Sequence, residues 1–178
     1  MTPDSGDRPA SKRLHLLRHA KSSWDDPGLS DRDRPLAPRG RKAAQRLARW
    51  LDEHEVRPGL VLCSPALRAT QTLEGVLTEL HLPEVAVEEG LYHGSVTELL
   101  ERARSLPDSV DDAMLVGHNP GLADLCMLLA KPGPQRDRIA GNLPTGALAT
   151  LELDAGSWAA LAPGCAELTR LVLPRELA

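Results

Sequence analysis

The chain has no phenylalanine and only 2% aromatic residues, so leucine, valine and alanine must fill its interior. The same scarcity removes the stacking platforms that hold single-stranded nucleic acids. A formal net charge of −4 supplies no basic footprint for a polyanion either, so no nucleic-acid partner is expected. Cysteine is sparse and odd in number: Cys63, Cys126 and Cys165 lack metal-ligand spacing and read as reduced thiols, neither a disulfide framework nor a zinc site. A reducing, cytoplasmic setting is the expectation. No apolar run is long enough to cross a bilayer, and residues 1–13 lack the apolar centre of a signal peptide, so no membrane partner is expected. The glycine-rich phosphate loop of nucleotide hydrolases is also missing.

What is present suits one globular domain with a real core, since 42% of the 178 residues are hydrophobic. Residues 1–12 are rich in Pro, Asp, Ser and Gly without an apolar period and read as a disordered tail, leaving 13–178 as the domain. Short apolar runs predict strands at Leu14–His19, Leu60–Ser64, Val85–Glu89, Met114–His118, Ala147–Leu153 and Leu168–Leu173. Between most of them apolar residues recur at helical spacing: Ala44, Leu47, Ala48 and Leu51; Leu73, Val76, Leu77 and Leu80; Val96, Leu99, Leu100 and Ala103; Leu122, Leu125, Cys126 and Leu129. Ser95 with Glu98 fits a capping box. Ser64-Pro65 and Asn119-Pro120 each offer a capping side chain before a proline at the first helical position. Alternating strands and helices predict an α/β fold, a mainly parallel sheet of about six strands covered on both faces, with ligands off the carboxyl ends of the strands. The last two strands lack a helix between them, so at least one is expected to pair antiparallel. Lys131 to Pro144 reads as a mobile loop at the rim.

Two strand ends carry unusual chemistry. Leu16-Leu17 stops on Arg18-His19, and Val116-Gly117 stops on His118-Asn119, while Arg68 follows the end of another strand by a few residues. Two imidazoles and two guanidinium groups converging on one sheet edge suit a phosphoryl group: a neutral imidazole can attack phosphorus, and guanidinium forks onto its oxygens. The helix opening after Asn119 would add backbone N–H groups at its positive end. Cys63 to Arg68 has one residue too few for a cysteine-phosphatase loop and carries a proline, so Cys63 is expected in the core. Asp31-Arg32-Asp33 has no apolar strand before it and reads as a solvated loop near the pocket mouth. His15, His54, His81 and His93 show no ligand pairing and read as surface or structural residues; no metal site is expected.

Arg18-His19, Ser64 with Arg68 and Gln71-Thr72, and Gly117-His118-Asn119 together resemble the histidine phosphatase superfamily, whose fold is phosphoglycerate mutase-like. Pro35-Leu36, Arg39-Gly40 and Pro144-Thr145-Gly146-Ala147, with the short length, resemble its SixA-type phosphohistidine phosphatases most. The resemblance runs from Leu14 to the C-terminus and implies a three-layer α/β/α sandwich without a large helical lid. It makes His19 the nucleophile and gives Arg18, Arg68, His118 and Asn119 to the phosphate pocket, with Lys21 and Ser22 within reach of substrate. Glu89, after a middle strand, holds the position of the family's general acid, and Glu88 should face away because neighbouring strand residues point oppositely. Ala20 stands where the family usually has glycine. The implied activity is metal-independent hydrolysis without cofactor through a phosphohistidine intermediate. The implied substrate bears a phosphoryl group, foremost a phosphohistidine on a phosphotransfer protein, whose imidazole leaves more easily than an alkoxide. A small-molecule phosphomonoesterase and a non-catalytic phosphoprotein-binding module are the alternatives.

Overall fold

A computed structural model of the chain describes residues 11–79, 84–139 and 141–178. Six strands form one sheet: β1 Lys12–Arg18, β2 Leu60–Cys63, β3 Val85–Val87, β4 Asp112–Gly117, β5 Leu148–Leu153 and β6 Ala166–Val172. Their order is β3-β2-β4-β1-β5-β6. The first four are mutually parallel, while β5 and β6 are both antiparallel to their neighbours. All six expected strands form, with ends displaced by a few residues.

Among the described residues five α-helices pack against this sheet: α1 Pro38–Glu53, α2 Leu67–Leu77, α3 Val96–Arg104, α4 Gly121–Leu129 and α5 Pro134–Ile139. Strand alternation splits the core in two. Leu17, Val61, Cys63, Met114 and Val116 meet Leu47, Leu51, Leu73 and Val76 of α1 and α2 on one face. Leu14, Leu16, Leu62 and Leu115 meet Leu99, Leu122, Leu125 and Leu129 of α3 and α4 on the other. The result is the three-layer sandwich. Between β3 and β4 stand only a three-residue 3-10 turn at Glu89–Leu91 and α3, so no helical lid is inserted there.

Several local expectations change. The Ser95–Glu98 capping box forms in full. The other two caps do not: α2 begins at Leu67 with Ala66 at its N-cap, and α4 begins at Gly121 with Pro120 at its N-cap, neither with a capping side chain. Ser64 and Asn119 are engaged elsewhere. Lys12, assigned to the tail, belongs to β1, is 1% exposed, and donates to Asp111 and the Asp108 carbonyl. The segment expected as a mobile loop holds α5, tied down by buried Ile139 and by Arg136 donating to the Met127 carbonyl. Residues 1–10, His81 and Leu80 lie outside the described residues.

Candidate active site

His19 follows the end of β1, His118 the end of β4, and Arg68 sits in the first turn of α2, so three neighbouring parallel connections deliver them to one edge of the sheet. They do meet. The His19 and His118 rings are 5.0 Å apart between centroids, and Arg68 Nε lies 3.4 Å from His19 Nε2 while its Nη2 lies 3.4 Å from His118 Nδ1. His19 is 7% and Arg68 6% exposed.

Hydrogen bonding assigns both tautomers. His19 Nδ1 is 2.8 Å from the Ala20 carbonyl, which can only accept, so the proton is on Nδ1 and Nε2 presents a lone pair to the pocket. At His118 the logic reverses. Guanidinium can only donate, so Nδ1 accepts from Arg68 and Nε2–H donates to Ser64 Oγ at 2.7 Å. Burial is the largest influence on both rings, pulling His19 down to about 4 and His118 down to about 3. Both are neutral at pH 7. His19 Nε2 therefore carries a free lone pair without the help of a general base, and cationic charge comes from the arginines.

Arg18, His19, Lys21, Ser22, Arg68, His118 and Asn119 all line one cavity of about 360 Å³. Arg18 Nη1 donates to the Leu143 carbonyl at 2.8 Å, and its Nε is buried with no hydrogen-bond partner among the described residues. An unspent buried donor beside a second guanidinium fits a tetrahedral anion. Asn119 donates its side-chain N–H groups to the Leu143 carbonyl and Asn142 Oδ1, while its Oδ1, the atom a cap would use, is buried with no partner among the described residues. The α4 N-terminus opens onto the adjoining groove with Pro120, Gly121 and Leu122, so its N–H groups do not join the pocket as expected.

The residues match a known constellation. The model of the histidine phosphatase superfamily (branch 1) matches residues 14–99. An uncharacterised Mycobacterium tuberculosis protein is 37% identical over 163 residues, 89% of this chain and 100% of that relative. The chain belongs to the histidine phosphatase superfamily. A Nakamurella multipartitia structure provisionally designated phosphohistidine phosphatase SixA aligns with TM-score 0.82 and 29% identity, over 94% of this chain and 99% of that one. The protein histidine phosphatase SixA complexed with tungstate aligns with TM-score 0.75 and 28% identity, over 92% and 98%. Fold and activity class follow: this is a phosphatase on a phosphoglycerate mutase-like sandwich.

In this histidine phosphatase the glutamates behave differently from each other. Glu88 pairs with Arg102 of α3 through two bonds of 2.8 and 2.7 Å, facing away as expected. Glu89 is not among the cavity-lining residues; it starts the 3-10 turn, its side chain is 71% exposed, and both carboxylate oxygens pair with Arg32 at 3.0 and 2.5 Å. The position that the family resemblance implied lies outside this cavity because β3 ends at Val87 and Glu89 opens the 3-10 turn instead of standing at a strand end. Ala20 is fully buried, its N–H given to Thr72 Oγ1 at 2.9 Å, so its methyl does not touch the cavity.

Sequence reasoning missed Trp24, Asp31, Arg34, His93 and Thr145, which line the same cavity. Asp31 is not simply solvated: it pairs with buried Arg68 and with Arg34, whose guanidinium stacks 3.4 Å from the Trp24 ring centroid. The available signal was the Asp31 to Arg34 spacing just before Pro35-Leu36. His93 lines the cavity, contrary to its bland reading, whereas His15 is a buried structural residue bonded to Thr150 Oγ1 and Asp112. His54 stacks on Trp50. Cys63 is buried, and burial pushes its thiol up to about 12, which removes it as a nucleophile.

Proposed function

We propose that the chain transfers a phosphoryl group from a protein-borne phosphohistidine to His19 and then to water, in a reducing, cytoplasmic compartment. The observation carrying this reading is the neutral His19 whose Nε2 lone pair stands beside Arg68. In the scheme, Nε2 attacks phosphorus while Arg18 and Arg68 fork onto the non-bridging oxygens. His118, Asn119, Lys21 and Ser22 complete the walls. Once the phosphoryl has left its donor, water attacks the phosphohistidine and inorganic phosphate departs. Positive side chains supply the charge stabilisation, so the scheme needs no divalent cation.

A protein-borne donor is supported by the mouth of the cavity. No helical insertion stands between β3 and β4, and the rim exposes Trp24 at 69% and Leu29 at 39%. Such a rim admits a histidine standing on a domain surface and gives that surface apolar contacts. The test compares kcat/KM on a phosphohistidine-bearing phosphotransfer domain with a panel of small phosphate esters, in the presence of chelator. A preference of at least about 10²-fold for the phosphoprotein is expected, on the scale of several well-packed interface contacts. A preference for one small ester would move the assignment to a phosphomonoesterase. Binding of phosphoprotein without turnover of anything would leave a binding module.

A further inference from the structure

Arg68 is bracketed. Its Nε reaches toward His19 Nε2, while at the opposite end of the guanidinium Nη1 donates to the Asp31 carbonyl at 2.5 Å and Nη2 to Asp31 Oδ2 at 3.0 Å. Asp31 Oδ2 also accepts from the Tyr92 hydroxyl at 2.7 Å, and Oδ1 pairs with Arg34. Asp31 lines the cavity, and Glu89 does not. A phosphoryl group held on Arg68 would have the attacking nitrogen on one side. In-line displacement puts the leaving atom on the other, and the carboxylate on that side is Asp31.

We propose that Asp31 is the proton donor to the leaving group, and the acceptor of the water proton in the second step. The inference rests on the phosphatase reading above and adds a catalytic residue to it. With the cavity empty, the Tyr92 hydrogen bond and the Arg68 and Arg34 guanidinium groups hold Asp31 ionised, down to about 2. An entering phosphoryl group competes for the Arg68 N–H groups and brings negative charge alongside. Both changes favour the protonated carboxyl, with the proton carried in on the substrate monoanion. In the first step the His19 Nε2–phosphorus bond forms, the bond to the leaving atom breaks with its electron pair, and that atom takes the Asp31 proton. In the second, water oxygen bonds to phosphorus, its proton passes to Asp31, and the nitrogen–phosphorus electron pair returns to Nε2.

The test is a leaving-group series: aryl phosphates of rising phenol pKa, then an alkyl phosphate, with wild type, Asp31→Asn and Glu89→Gln. A proton donor matters most when the leaving oxygen is most basic, so the Asp31→Asn loss in kcat/KM should grow along the series. It should be about 10-fold for p-nitrophenyl phosphate and 10²–10⁴-fold for the alkyl ester. Glu89→Gln should keep the shallow wild-type dependence. An equal Asp31→Asn loss on every ester overturns the proposal, because a residue that only orients Arg68 costs all substrates alike. A growing loss in Glu89→Gln overturns it too. If Asp31→Asn does not fold, the wild-type series decides: a shallow dependence on leaving-group pKa is required, and a steep one contradicts a donor. Wild-type inactivity on the aryl phosphates and on a phosphohistidine-bearing protein alike would remove the phosphatase reading itself, an outcome distinct from the parallel losses that remove Asp31 alone.

Discussion

His19 is 7% exposed, and desolvation first, then Arg68 and Arg18, hold its imidazole down to about 4 against the upward pull of the Ala20 carbonyl. The consequence for activity has a definite sign. A free histidine loses its nucleophilic lone pair below about pH 6.5, whereas His19 keeps it until near 4. After correction for substrate ionisation, the acid limb of kcat/KM should therefore fall near pH 4, and a limb at 6.5 would show that the ring is not desolvated as described. Stability moves with the same protons. From pH 6.5 down to about 4 for His19 and about 3 for His118, the unfolded chain binds protons that the buried rings refuse, so the fold weakens as pH falls through that window. The effect is absent above pH 6.5, where both states are neutral. A pH series of thermal melts reads it directly.

Elements carry these side chains only as accurately as their connections allow. The turn before β5 is fixed at Gly146, which has φ of 76° and donates its N–H to the carbonyls of Arg18 and His19 at 3.1 and 2.9 Å. A Cβ there would also meet Pro174 Cγ at 3.0 Å. Gly146→Ala should cost about 1–2 kcal/mol from the left-handed conformation alone, and should lower kcat as well, because the carbonyls it holds are those of Arg18 and His19. Urea unfolding that leaves stability unchanged would contradict this. At α1, Gly40 packs so tightly on the Lys21 carbonyl that a Cβ would come within 2.2 Å, which ties the helix to the pocket wall. Element existence was legible because buried strands such as Leu60–Cys63 and helix stripes such as Ala44, Leu47, Ala48 and Leu51 bury every apolar position they show. Two caps were misread for one reason. Ser64 and Asn119 have the right side chains to cap a helix, but α2 and α4 begin further on, at Leu67 and Gly121, and local spacing does not fix the residue at which a helix starts. The helix α5 was hidden by the Pro and Gly of 131–134, with only Ile139 to signal a buried side.

Across the whole molecule, the parallel arrangement of β2, β4 and β1 turns three separate sequence breaks into one pocket. That convergence was legible, since strand ends of a parallel sheet share an edge. The Asp31–Arg68 pair was not: the two residues stand 37 apart, and a run of alternating charges looks the same whether it meets water or a buried guanidinium. Glu89 was placed by resemblance to the family's acid position, and the strand expected to run up to it stops at Val87. The assembled pocket must carry the phosphoryl group on nitrogen for part of every cycle. The most direct measurement is a rapid quench into alkali with a radiolabelled phosphodonor, followed by peptide mapping. The label is expected to survive base, to be released by acid, to map to His19 and to be absent in His19→Ala; turnover with no labelled enzyme, or label on any other residue, would contradict a phosphohistidine at this position.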